Sequence, residues 1–234
     1  MTINRAIIWD FDGTLGYRDG GSWSSTLKEI LDSEEPGNNI TRELIRANLW
    51  TGFPWQEWQS PHPHLRDPEV WWGAVLPLLA RAYCGAGLDG ARAGALARRF
   101  RDLYLDLEYW RCFEDTLPTL ETLSGRGWHH ILLSNHVPEL RAILRQIGLD
   151  SHLTFIFNSA ETDYEKPHPR AFEMVLEAIP DAQTLWMVGD NFNADVQGAA
   201  AFGIPGILVH REHPDAQYMC ATLEEAGKIL DSGF

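Results

Sequence analysis

The apolar positions of this chain change rhythm twice. Ile7-Ile8-Trp9 is a short unbroken apolar run that stops at Asp10-Phe11-Asp12-Gly13, the pattern of a buried parallel strand breaking into a loop. Glycines at 13, 16, 20 and 21 then punctuate a loop, and from about Ser22 to about Trp110 the spacing turns helical. Leu27, Ile30 and Leu31 predict one helical face, and Leu44, Ile45 and Leu49 a second. Asp67-Pro68-Glu69 is a helix start, an acid cap followed by proline at the first helical position, and Pro77 is expected to kink or end the helix it opens. Asp89 caps a further helix carrying Leu96, Phe100, Leu103 and Leu107. No strand is expected in this stretch, which reads as an all-helical insertion.

The second change restores strand and helix in regular alternation. Strands are predicted over His130 to Ser134, Leu153 to Phe157, Leu185 to Val188 and Gly206 to Val209. Helices are predicted over Pro118 to Leu123, Pro138 to Ile147, Pro169 to Ile179 and Ala194 to Phe202, with Thr222-Leu223-Glu224-Glu225 as a capping box for a terminal helix. That alternation means an α/β fold whose parallel sheet is covered on both faces. The expected division is a core of residues 1–15 and 112–234 and a helical cap domain of residues 16–111, inserted after the first strand.

Composition adds little except by exclusion. The chain has 234 residues, 44% hydrophobic and 22% charged, an ordinary globular balance without the bias of disorder or fibre. Its formal charge of −14 and its lack of a basic run argue against nucleic acid and anionic membrane as partners. Cys84, Cys112 and Cys220 are far apart and in no ligand spacing, which suggests neither a disulfide framework nor a zinc site and fits a reducing cytoplasm. No secretory pattern precedes the first strand, and no apolar run reaches a bilayer-spanning length.

The chemistry gathers at predicted strand ends, where open α/β sheets bind ligands. Asp10 and Asp12 close the first strand; such a pair can hold Mg²⁺ while one acid attacks or moves protons, although Asp-x-Asp-Gly is also turn chemistry. Ser134-Asn135 precedes a helix start, so the two side chains can hold phosphate oxygens or merely cap. Lys166, fixed before Pro167, can neutralise an attacking carboxylate and a phosphoryl group. Asp190 ends another strand and Asp195 follows it; both can complete a metal site with Asp10, and Asp195 can equally sit in the cap region of the next helix.

In order, D-F-D-G-T-L, L-L-S-N, E-K-P and V-G-D-N-F-N-A-D resemble the four motifs of the haloacid dehalogenase (HAD) superfamily. The resemblance implies a Rossmann-like core whose helical cap closes over the active site. It implies Asp10 as a nucleophile forming an aspartyl-phosphate, and Asp12 as the acid that protonates the leaving oxygen and then activates water. Mg²⁺ is implied on Asp10, the Asp12 carbonyl and Asp190, with Asp195 in support, while the choice between Asn191 and Asp195 as a direct ligand stays open. Thr14, Ser134, Asn135 and Lys166 would position the phosphoryl group. Dehalogenases of the superfamily lack the second acid, so Asp12 favours a phosphatase acting on a small phosphorylated metabolite, even though Leu133 to Pro138 looks like the dehalogenases' second motif. A phosphomutase, or a non-catalytic binding protein on the same scaffold, is the alternative.

Substrate selection should come from the insertion and the loop after the first motif. Trp50, Phe53, Trp55, Trp58, Trp71 and Trp72 cluster there and read first as the core of a small helical domain, with a ring-stacking pocket as the alternative. Arg18 and His136 lie near the expected catalytic face, and Arg18 could meet a second anionic group. His62 and His64 alternate with prolines, as in an extended exposed loop.

Overall fold

In a computed structural model that describes residues 2–49 and 51–231, the first apolar run is β1 (Arg5–Trp9), with Ile7, Ile8 and Trp9 fully buried. A second short strand, β2 (Gly16–Arg18), follows almost at once, and β3 (Trp110–Cys112) closes the helical stretch. The remaining strands are β4 (His129–Ser134), β5 (Phe155–Asn158), β6 (Thr184–Gly189), β7 (Gly206–Val209) and β8 (Tyr218–Cys220). Among the described residues six of them form one parallel sheet in the order β5-β4-β1-β6-β7-β8. Counting only these six strands, the order is that of a doubly wound dinucleotide-type sheet, and it reverses between β1 and β6. Loops leaving neighbouring strands there diverge to opposite faces and leave a crevice, and both strands of that pair end in aspartate.

Alternation along β1 divides the core. Ile7 and Trp9 join Leu132, Val188 and Ile207 on one face, in a cluster that runs on without a break into the helical insertion through Phe11, Trp110 and Tyr104. Ala6 and Ile8 face the other way, against Ile131, Leu133 and Met187 and the helix Pro169–Ala178, which supplies Ala171, Phe172 and Val175. Both faces of the sheet are therefore covered, as a continuous apolar strand requires.

The insertion contains helices Trp23–Glu34, Arg42–Arg46, Pro68–Gly85, Gly90–Arg98 and Phe100–Tyr104. Asp67 and Asp89 cap as expected, each accepting two backbone N–H groups, a stabilisation of about 1 kcal/mol apiece. Several expectations need correction. The segment is not helical throughout: among the described residues between Ala47 and Asp67 the helical elements are 3₁₀ turns at Pro54–Gln56 and Pro63–Leu65, and the latter means that His64 sits in a turn rather than an extended loop. Leu44 is 42% exposed, and the buried position of its five-residue helix is Ile45. Pro77 does not end its helix; it is exposed, and the carbonyl four residues back belongs to Gly73, which is also exposed, so water can take the bond that proline cannot make. β2 and β3 pair antiparallel at the base of the insertion, Tyr17 opposite Arg111, a ribbon too short for its rhythm to register in the sequence. β8 escaped for the same reason. The stretch expected to be a plain helix from Ala194 starts at Phe192 as a π-type turn and becomes α-helical over Gly198–Ala200. Trp50 lies outside the described residues. Among the described residues no helix is long and apolar enough to cross a membrane.

Candidate active site

β1 delivers Asp10 to the centre of the crevice, where its backbone N–H donates to the Val188 carbonyl of β6 at 3.0 Å. Its Oδ1 accepts from Ser134 Oγ at 3.1 Å and from Lys166 Nζ at 2.7 Å. Among the described residues no hydrogen bond or ion pair falls on Oδ2. Lys166 reaches over from the loop after β5 and also donates to Asp195 Oδ1 at 2.6 Å. Burial opposes charge on this lysine, but Asp10 and Asp195 overcome that cost and hold its pKa above the ordinary value. Its backbone is fixed by Asn135: the amide Nδ2 donates to the Lys166 carbonyl at 2.8 Å, and the Lys166 N–H donates back to Oδ1 at 2.6 Å. The peptide bond to Pro167 is cis.

Asp10, Asp190 and Asp195 each bring one carboxylate oxygen to within 4.8 Å of the others. Two glycines make that gathering possible. A Cβ at Gly189 would lie 2.1 Å from Asp195 Oδ2, and a Cβ at Gly13, where φ is +87°, would lie 2.6 Å from Asp190 Oδ2. Asp195 also accepts from the Asn191 N–H at 3.0 Å, and Asp190 accepts from Arg211 Nε at 2.8 Å. Burial pushes Asp195 up to about 7, with Lys166 pulling against it, and burial together with the charge on Asp10 raises Asp190. Three carboxylates crowded this closely form a hard oxygen donor set whose mutual repulsion a divalent cation such as Mg²⁺ would relieve.

Asp12 stands apart from that trio. Water reaches it through the cavity, but its depth among protein atoms, together with the charges of Asp10 and Asp190, lifts it to about 7. The cavity above has a volume of about 870 Å³. Asp10, Asp12, Ser134, Asn135, His136, Lys166, Asp190 and Asp195 all line it, so eight of the ten expected site residues meet in one place. His136 is 5% exposed with no hydrogen-bond partner on either ring nitrogen; burial pushes it down to about 4, so it is neutral.

Two expectations fail on placement. Thr14 is fully buried in the turn after β1, its hydroxyl unpartnered, and it does not line the cavity. Arg18, on the ribbon, is buried beneath the insertion, where it donates to the Asp19 and Leu103 carbonyls and to Thr26 Oγ1 and lies over the Tyr109 ring. It ties helices together rather than meeting a ligand. In the other direction, sequence reasoning missed Arg211, Trp23 and Tyr104. Nothing local marks Arg211, a lone basic residue after the last well-defined strand. The tryptophan cluster divides: Trp71 and Trp72 are core, each 1% exposed, whereas Trp55 and Trp58 join Trp23 and Tyr104 in the cavity wall. His62 and His64 do not line it; the His62 N–H instead donates to the Asp163 carbonyl at 2.8 Å.

A doubly wound sheet carrying an aspartate nest, a buried lysine and a helical insertion at its switch point defines a class of α/β hydrolases. The model of haloacid dehalogenase-like hydrolases matches residues 4–203, and the chain belongs to that family. It is similar to haloacid dehalogenase-like hydrolase domain-containing protein 3 of Danio rerio, 32% identical over 168 residues, 70% of this chain and 68% of that protein. It is also similar to a phosphoserine phosphatase of Thermus thermophilus, 34% identical over 227 residues, 92% of this chain and 87% of that one. Among solved structures, HAD-hydrolase YfnB of Bacillus subtilis, bound to magnesium, superposes with a TM-score of 0.72 at 21% identity, covering 97% of this chain and 99% of that one. The chain is thus a HAD hydrolase with a phosphatase among its relatives.

Proposed function

We propose that the chain is a Mg²⁺-dependent phosphomonoester hydrolase that works through an aspartyl-phosphate on Asp10 and acts on a small phosphorylated molecule beneath a helical cap. One observation supports this most directly: two carboxylates at the same strand end are held differently, Asp10 oriented through Oδ1 by Lys166 and Ser134, and Asp12 without an ion-pair partner among the described residues and lifted to about 7. An oriented carboxylate is a nucleophile and an acid poised near neutrality is a proton carrier. Displacing halide requires no proton donor and would leave Asp12 idle.

In this reading an Asp10 oxygen attacks phosphorus in line while the bond from phosphorus to the leaving oxygen breaks, and Asp12 gives that oxygen its proton. Asp12, now ionised, takes a proton from water as the water attacks the acyl phosphate; inorganic phosphate departs and Asp10 is restored. Lys166 neutralises charge on Asp10 and on the phosphoryl oxygens throughout. Ser134 keeps Asp10 in its rotamer, and Asn135 keeps the lysine loop in register. Asp10, Asp190 and Asp195 would hold Mg²⁺, which when bound supplies neutralising charge beside the phosphoryl group.

The test is phosphate release from a panel of phosphate esters with and without Mg²⁺. Asp12→Asn should collapse turnover while magnesium and phosphate binding, measured by calorimetry, persist; full activity in that variant would remove Asp12 from the proton path. An isomerised phosphate ester in place of free phosphate would point to a mutase.

A further inference from the structure

The wall of the cavity opposite the aspartates is unusual for what it contains and for what it lacks. Trp23, Trp55 and Trp58 are each only half-buried, in a protein that buries Trp71, Trp72 and Trp110 to 1% exposure. Leaving three indoles partly uncovered forgoes burial, and apolar side chains left uncovered along one cavity mark a binding surface. The wall is also assembled in advance. The Trp23 ring lies 5.2 Å from Trp55 and 5.1 Å from Tyr104, and Trp55 is stacked at 4.8 Å on Phe53, itself 2% exposed. Rings held by other rings keep their rotamers, so a ligand need not order them.

Charge narrows the class of ligand further. Among the described lining residues the permanently charged cation is Lys166, and Asp10 and Asp195 already engage it. Arg18, the residue placed to meet a second anion in the sequence, faces the insertion's interior. Apart from the aspartates, the other polar side chains among the described lining residues are uncharged. Beyond the metal that Asp10, Asp190 and Asp195 would hold beside the phosphoryl group, a leaving group bearing a carboxylate would meet no unengaged cationic side chain among the described lining residues.

We infer that the cavity selects phosphate monoesters whose alcohol carries a flat, uncharged aromatic ring, stacked on the Trp23, Trp55 and Trp58 wall, over esters of small carboxylated alcohols. This rests on the phosphatase reading above and adds a substrate class to it. Two chemistries supply such a ring at different reach from phosphorus: an aryl phosphate, with the ring on the ester oxygen, and a nucleoside 5′-monophosphate, with the ring beyond a sugar.

Four substrates separate the possibilities: phenyl phosphate, a purine nucleoside 5′-monophosphate, ribose 5-phosphate and phosphoserine. At least one ring ester should exceed both ring-free esters in kcat/KM by tenfold or more, and whichever does so identifies the reach. Trp55→Ala and Trp58→Ala should each cut the ratio of ring to ring-free kcat/KM by about tenfold, as for a lost base-stacking contact. Phosphoserine or ribose 5-phosphate matching the ring esters would overturn the inference and leave the phosphatase reading standing. A second measurement needs no turnover: tryptophan fluorescence of the Asp10→Asn protein should be quenched by the preferred ring ester at lower concentration than ribose 5-phosphate requires. Quenching by the ring ester in a protein whose parent hydrolyses no ester would uphold the inference and overturn the phosphatase reading; equal affinity for both ligands would overturn the inference.

Discussion

The floor and the wall of the cavity are built on opposite principles. The floor is made of strand ends: its carboxylates are charged, Asp10, Asp190 and Asp195 are each held by named partners, and backbone close enough to touch Asp190 and Asp195 carries glycine at 13 and 189. The wall comes from the insertion; it is aromatic, uncharged at its surface and held by ring packing. They are joined by a continuous apolar core and by polar contacts. Glu139, beside the second motif, accepts from Trp72 Nε1 at 3.1 Å and from Arg101 at 3.1 Å, and Asp163, three residues before Lys166, is paired to Arg66. On the proposed function, the difference teaches that reaction chemistry draws on close electrostatic placement, which a sheet edge supplies. Selectivity depends on shape and polarity, which a packed helical insertion can vary while the floor stays as it is.

The contrast can be broken hardest at the floor. Asp10→Asn removes the nucleophile of the proposed function and should lower turnover by at least about a thousandfold in a phosphate-release assay, with folding intact by circular dichroism. Next comes Gly189→Ala. Its Cβ would displace the Asp195 carboxylate, so magnesium affinity by calorimetry and turnover should both fall about a hundredfold, an effect no wall residue should reproduce.

A third measurement probes the support beneath the floor. His130 accepts from Trp9 Nε1 on Nδ1 at 3.0 Å, its Nε2 lies 3.0 Å from the Leu120 carbonyl, and burial pushes it down to about 4. The unfolded chain therefore binds a proton below about 6.5 that the folded protein refuses, and stability from this group falls as pH drops from about 6.5 toward 4. The stability advantage of the native protein over His130→Gln should shrink by about 2 kcal/mol between pH 7.5 and pH 5 in urea titrations. The smallest effect is expected where wall and floor meet. Glu139→Ala leaves Trp72 Nε1 and Arg101 without that acceptor; it should cost about 1 kcal/mol of stability and raise KM more than it lowers kcat.

What the chain determines by itself is whatever depends on near neighbours in sequence. An apolar run stopping at Asp10, a cap at Asp67 or Asp89, a polar pair closing β4 and an acid closing β6 are local patterns, and four such ends in order imply a sheet edge carrying carboxylates, a hydroxyl and a lysine. Only the tertiary structure decided which residues share a void. Arg18 and Trp58 look equally available in sequence, yet burial under two helices engages the guanidinium while the indole keeps a face toward the cavity. Arg211 reaches Asp190, and Gly189 yields space to Asp195, because strands and loops converge at the switch point. Thr14 turns inward because the loop after β1 closes tightly on Phe11. Facing, packing and shared desolvation are properties of surfaces brought together from distant segments, and local patterning carries no record of them.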